Sequence, residues 1–116
     1  MVTLAAALAL AVPPRATLDT GVARVPLAIS SWCWGSRCGA PITRSAKPVP
    51  AARGALVTVV LAFTPRSVHA AVGGAPVAVQ AHGREVSWRA RTGGGLTLTA
   101  MGGRGWVTYV ARLALR

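Results

Sequence analysis

The stretch that decides the fold runs Gly94-Gly95-Leu96-Thr97-Leu98-Thr99-Ala100-Met101-Gly102-Gly103-Arg104-Gly105-Trp106-Val107-Thr108-Tyr109-Val110-Ala111-Arg112-Leu113-Ala114-Leu115. Its hydropathy has a period of two, which places successive side chains on opposite faces and belongs to strands, not helices. Leu96, Leu98 and Ala100 share one face against Thr97, Thr99 and Met101. Beyond the turn, Val107, Tyr109, Ala111, Leu113 and Leu115 share one face against Trp106, Thr108, Val110 and Arg112. Gly102-Gly103-Arg104-Gly105 lies between the two runs and supplies the backbone freedom that a hairpin turn needs.

The same period extends upstream. In residues 55–63, Val57, Val59, Leu61 and Phe63 oppose a second face that is nearly as apolar, so this strand is expected at the centre of a sheet. Residues 67–72 and 77–81 flank Gly73-Gly74 as a hairpin, and Val86, Trp88 and Ala90 face inward against Ser87, Arg89 and Arg91. One further strand is expected over about residues 22–29, and residues 39–54, with Pro41, Pro48 and Pro50, read as a polar connection. The sum is an all-β chain of about seven short strands, most simply a small antiparallel β-sandwich of immunoglobulin-like outline.

Residues 12–116 are expected to form one domain. Residues 4–12 (LAAALALAV) have the length of a signal-peptide hydrophobic core, too short to cross a bilayer, and Ala9-Leu10-Ala11 fits a cleavage site. Residues 1–11 are therefore expected to be a leader. Met1-Val2-Thr3 lacks the usual positive charge, so either the start is truncated or the run is a buried N-terminal element. No later stretch is long and apolar enough for a membrane span.

The only two cysteines lie in Ser31-Trp32-Cys33-Trp34-Gly35-Ser36-Arg37-Cys38-Gly39. Behind an apolar leader they read as a disulfide, which closes a short loop and stabilises by roughly 2 kcal/mol. Free thiols and a metal or redox centre are the alternatives. A metal would need two further ligands, and only His69 and His82 are available, while the spacing is not that of a CxxC redox pair. No metal or other cofactor is expected. Trp32 and Trp34 share one side of this segment and Cys33 the other. With Arg37 they form a candidate binding loop, although packing of the rings over the sandwich is the usual fate of tryptophan beside a disulfide.

The net charge is +11, from twelve arginines and one lysine against Asp19 and Glu85. Compositional bias accounts for arginine over lysine but not for the scarcity of acids, and attraction to an anionic partner is the alternative. Arg84, Arg89, Arg91 and Arg104 are the candidate basic patch. No nucleic-acid signature accompanies it, so a weak association with anionic surfaces is expected, and no specific nucleic acid. Catalysis has few components. The two acids do not pair, Ser67 and His69 share a strand face with no acid to orient the imidazole, and nucleotide and hydrolase motifs are absent.

Trp32-Cys33-Trp34-Gly35-Ser36-Arg37-Cys38-Gly39 resembles a motif of small exported, often lipid-anchored actinobacterial proteins, in which an aromatic precedes Cys-Trp and a second cysteine follows. This chain has Gly39 directly after Cys38, where that family usually has an acidic residue, and no lipidation cysteine follows the leader. The resemblance implies an exported β-rich domain with Cys33 bonded to Cys38. The expected function is a secreted or cell-envelope, non-enzymatic structural or binding module. The alternatives are a polyanion-binding protein (anionic lipid, wall polymer or nucleic acid) and a small hydrolase using His69 or His82.

Overall fold

Twelve strands and no helix make up the described residues, 12–41 and 47–116, of the computed structural model. The strands are β1 Ala16–Asp19, β2 Arg24–Pro26, β3 Ala28–Trp34, β4 Arg37–Gly39, β5 Val49–Ala51, β6 Leu56–Leu61, β7 Ser67–Val72, β8 Ala75–Val77, β9 Gln80–His82, β10 Glu85–Arg89, β11 Gly94–Gly102 and β12 Gly105–Leu115. They form two sheets, one in the order β2-β1-β6-β10-β9, the other β4-β3-β12-β11-β7-β8. β5 runs parallel to the end of β12 that β3 leaves uncovered, pairing Val49 with Leu113. Every other pairing is antiparallel. The expected leader, residues 1–11, lies outside the described residues.

The alternation in the sequence becomes the two inner faces. Leu18, Val57, Val59, Val86 and Trp88 project from the first sheet, and Val72, Leu96, Leu98, Val107, Tyr109 and Leu113 from the second, all buried. Burial of these side chains is the dominant favourable term, on the order of 2 kcal/mol for each large apolar residue. β6 is central in its sheet, as its two apolar faces indicate, and β11 pairs with β12 from Gly94–Leu113 to Gly102–Gly105.

The N-terminal half departs from the sequence reading. The single strand expected over residues 22–29 is divided between β2, in the first sheet, and the start of β3, in the second, and the 39–54 connection contains β5. The run at 77–81 divides, with β8 closing the Gly73-Gly74 hairpin and β9 crossing to the other sheet. Short strands of three residues carry too few alternations to be read by period, which is why about seven became twelve. The turn between β1 and β2 is fixed by the buried Thr20. Its hydroxyl donates to the Pro50 carbonyl at 2.7 Å and accepts the Ala23 N–H at 3.1 Å, tying the turn to β5.

Candidate functional site: a basic loop end beside the disulfide hairpin

A β-bulge sets the orientation of the cysteine segment. Ile29 lies opposite Tyr109 but Ser31 lies opposite Thr108, so Ser30 is an extra residue in β3. One inserted residue flips the faces of everything after it. Ile29 faces inward before the bulge, and after it Trp32 and Trp34 turn inward while Cys33 turns out. Trp34 is buried, with its ring centroid 4.9 Å from that of Phe63. Trp32 packs against the core and lies across Gly39, where a Cβ would stand 2.5 Å from the indole. Its Nε1 is buried with no hydrogen-bond partner. These two rings are therefore packing groups, the usual fate of tryptophan beside a disulfide, and they form no exposed aromatic surface.

Cys33 and Cys38 form the disulfide, directly opposite one another on β3 and β4 with Cα atoms 4.0 Å apart. On the outer face Cys33 is opposite Trp106, and Trp106 is opposite Met101. A cross-strand row Cys38, Cys33, Trp106, Met101 thus runs over the outside of the second sheet, with Trp106 half-buried and Met101 45% exposed. Nothing local in the sequence indicates that Trp106 stands beside the disulfide. The register of Cys33 with Trp106 was the missing information, and it is a long-range property. Replacing both cysteines by alanine is expected to lower stability by about 2 kcal/mol, measured as the loss in urea unfolding free energy. Unchanged stability would show that the hairpin needs no clamp.

Four connections meet at this end of the sandwich. Gly35 in the β3–β4 turn donates its N–H to the Arg104 carbonyl in the β11–β12 turn at 2.9 Å, and Arg66 N–H donates to the Met101 carbonyl at 2.7 Å. The Leu61 N–H, at the end of β6, donates to the Arg84 carbonyl in the β9–β10 turn at 2.8 Å. Two glycines make room for the guanidinium groups. A Cβ at Gly35 would lie 3.3 Å from Arg104 Nη2, and one at Gly103 would lie 3.4 Å from Arg66 Nη2. Arg37, Arg66, Arg84 and Arg104 are all exposed here, and Glu85 is the one acid among the described residues at this end. The Arg15 carbonyl accepts the Ala62 N–H at 3.1 Å beside the same loop.

The basic patch expected at Arg84, Arg89, Arg91 and Arg104 is not one patch. Arg84 and Arg104 belong to this end, whereas Arg89 lies opposite Leu56 at the far end of β10 and Arg91 follows it. Five strand steps of about 3.3 Å put Arg84 and Arg89 roughly 17 Å apart. The histidines are also apart. His69 is exposed on β7 opposite Thr99, and His82 is exposed on β9, in the other sheet, opposite Glu85. No group of three metal-ligating side chains occurs among the described residues, and no described helix is long and apolar enough to cross a membrane. No protein-family model matches the chain, and no curated protein or solved structure matches it at a significant level.

Proposed function

We propose that this chain is an extracytoplasmic, non-enzymatic binding module of immunoglobulin-like outline, whose basic loop end engages a surface rich in phosphate or carboxylate groups. The observation that carries the reading is that Arg37, at the start of β4, and Arg66, Arg84 and Arg104, from three different connections, are all exposed at one end of the sandwich. A cluster of exposed cations raises the local concentration of anions, and exposed loops on a rigid sandwich are where such recognition is usually built.

Strand order supports the immunoglobulin-like outline. β1-β6-β10-β9 facing β8-β7-β11-β12 follows the order A-B-E-D facing C′-C-F-G, with β5 beside the last strand of the second sheet. In that correspondence the loops 62–66 and 103–104 take the B–C and F–G places, at the end where variable domains carry their recognition loops. The β3–β4 disulfide hairpin is then an addition to the last strand. The disulfide supports an oxidising compartment, and with it the envelope or exterior as the place of action.

Binding is expected to be electrostatic in the main. Affinity for vesicles containing phosphatidylglycerol, and for inorganic polyphosphate, should fall about tenfold or more between roughly 0.05 and 0.5 M salt as screening shortens. Binding to both probes would identify the phosphate array as the ligand, and binding to vesicles alone a lipid surface. Salt-insensitive binding, or none to either, would sink the proposal.

A further inference from the structure

The opposite end of the sandwich holds a recess of a different kind. β9 pairs with β10 only from Glu85 to Ser87, so the Trp88–Arg89 end of β10 has no strand on that side, and the chain crosses from β8 to β9 through Ala78 and Val79. The gap is a cleft of about 660 Å³, within the span of small-molecule sites, which are mostly apolar with a few placed polar groups. Val72 and Trp88, both buried, form its floor, and Val77 and Leu56 its walls. Leu56 is 48% exposed although it is a large apolar side chain on a central strand.

The rim is cationic. Arg89 and Arg91 both line the cleft, neither Asp19 nor Glu85 does, and the rest of its polar lining is uncharged. Arg89 Nη1 donates to the Gly54 carbonyl at 3.4 Å, and Arg53 Nη1 to the Arg91 carbonyl at 3.2 Å, which brings a third guanidinium to the same end. An apolar floor under two guanidinium groups suits one kind of occupant, an amphiphile with a hydrocarbon body and a single anionic head. The geometry points to a site for a single-chain carboxylate, its chain lying on Leu56, Val72 and Trp88 and its head paired with Arg89 and Arg91. This site shares no residue with the basic loop end and does not depend on it.

The test titrates the full chain with decanoate, decanol and acetate, each below its aggregation concentration, by calorimetry. Decanoate should bind saturably at one site, and acetate should not bind. The double variant Arg89→Gln, Arg91→Gln should weaken decanoate roughly tenfold, the effect of losing a charge-assisted hydrogen bond, while leaving decanol unchanged. Ala78→Trp, at an exposed lining position, should weaken both by filling the cleft. Unfolding midpoints of both variants verify that they remain folded. The proposal is overturned if decanoate shows no saturable binding, or if neither variant weakens it. It is equally overturned if Arg37, Arg66, Arg84 and Arg104 together changed to Gln weaken it as much, because adhesion by net charge then accounts for the signal.

Discussion

Gly105→Ala is expected to destabilise the domain by about 3 to 5 kcal/mol, the range reserved for clashes and strain that the surroundings cannot relieve. Gly105 begins β12 opposite Trp34, with φ of +150°. A Cβ there falls on the carbonyl oxygen of Cys33, 2.8 Å from its carbonyl carbon and 3.1 Å from the Trp34 Cα. All three are backbone atoms of the neighbouring strand, so no rotamer change can make room. The strand must move, and with it the disulfide hairpin and the seat of Trp34 on Phe63. Gly103→Ala is the control. Gly103 is exposed without a positive φ, and its Cβ would meet only the mobile end of Arg66, so a change under about 0.5 kcal/mol is expected. Chemical denaturation of the two variants decides the matter, and equal effects would mean that β3 and β12 are not packed as described.

Alkaline pH should destabilise the protein through one residue. Tyr109 is fully buried on β12, and its hydroxyl donates to the Pro14 carbonyl at 2.8 Å, across 95 residues of chain. Desolvation by burial pushes its pKa far above the ordinary tyrosine range. The unfolded chain therefore loses this proton from about pH 10 upward while the folded chain keeps it. With more protons bound in the native state, stability is intact below pH 10 and falls by about 1.4 kcal/mol per pH unit above it. By pH 12 the loss should reach about 2 to 3 kcal/mol. Tyr109 is the only tyrosine in the chain, so no second phenol adds to the slope. Tyr109→Phe should lose about 1 kcal/mol at pH 8 with the hydrogen bond, then show a flat profile to pH 12. Urea midpoints across that range measure both, and a flat wild-type profile would show that the ring is not sealed in the core.

Where a strand is long enough to repeat its pattern, the sequence was sufficient. Leu96, Leu98 and Ala100 against Thr97 and Thr99 fix both the strand and its buried face, and the same holds for Val57, Val59 and Leu61. Three-residue elements such as β5 and β8 show no period, because their existence depends on the partner they meet. The candidate site was less legible for two reasons. Ser30 is an inconspicuous serine, yet as a bulge it decides which side of β3 the tryptophans occupy. Arg66 and Arg104 are 38 positions apart, and nothing local signals that two turns from different hairpins share one end. The outer-face row of Cys33, Trp106 and Met101 was hidden likewise, since it exists only across three strands. A Trp outside a disulfide, on a strand whose inward residues are already assigned, was the one available clue.

The direct test of the binding-module account separates the placement of charge from its amount. One variant carries Arg37→Gln, Arg66→Gln, Arg84→Gln and Arg104→Gln. Its counterpart carries Arg24→Gln, Arg53→Gln, Arg112→Gln and Arg116→Gln, which removes the same charge elsewhere. Each arginine close to an anionic surface contributes about 1 kcal/mol. The first variant should therefore lose at least about a hundredfold in affinity for phosphatidylglycerol vesicles at low salt, and the second under about tenfold. Equal losses in the two would contradict the account, leaving net charge alone as the source of binding.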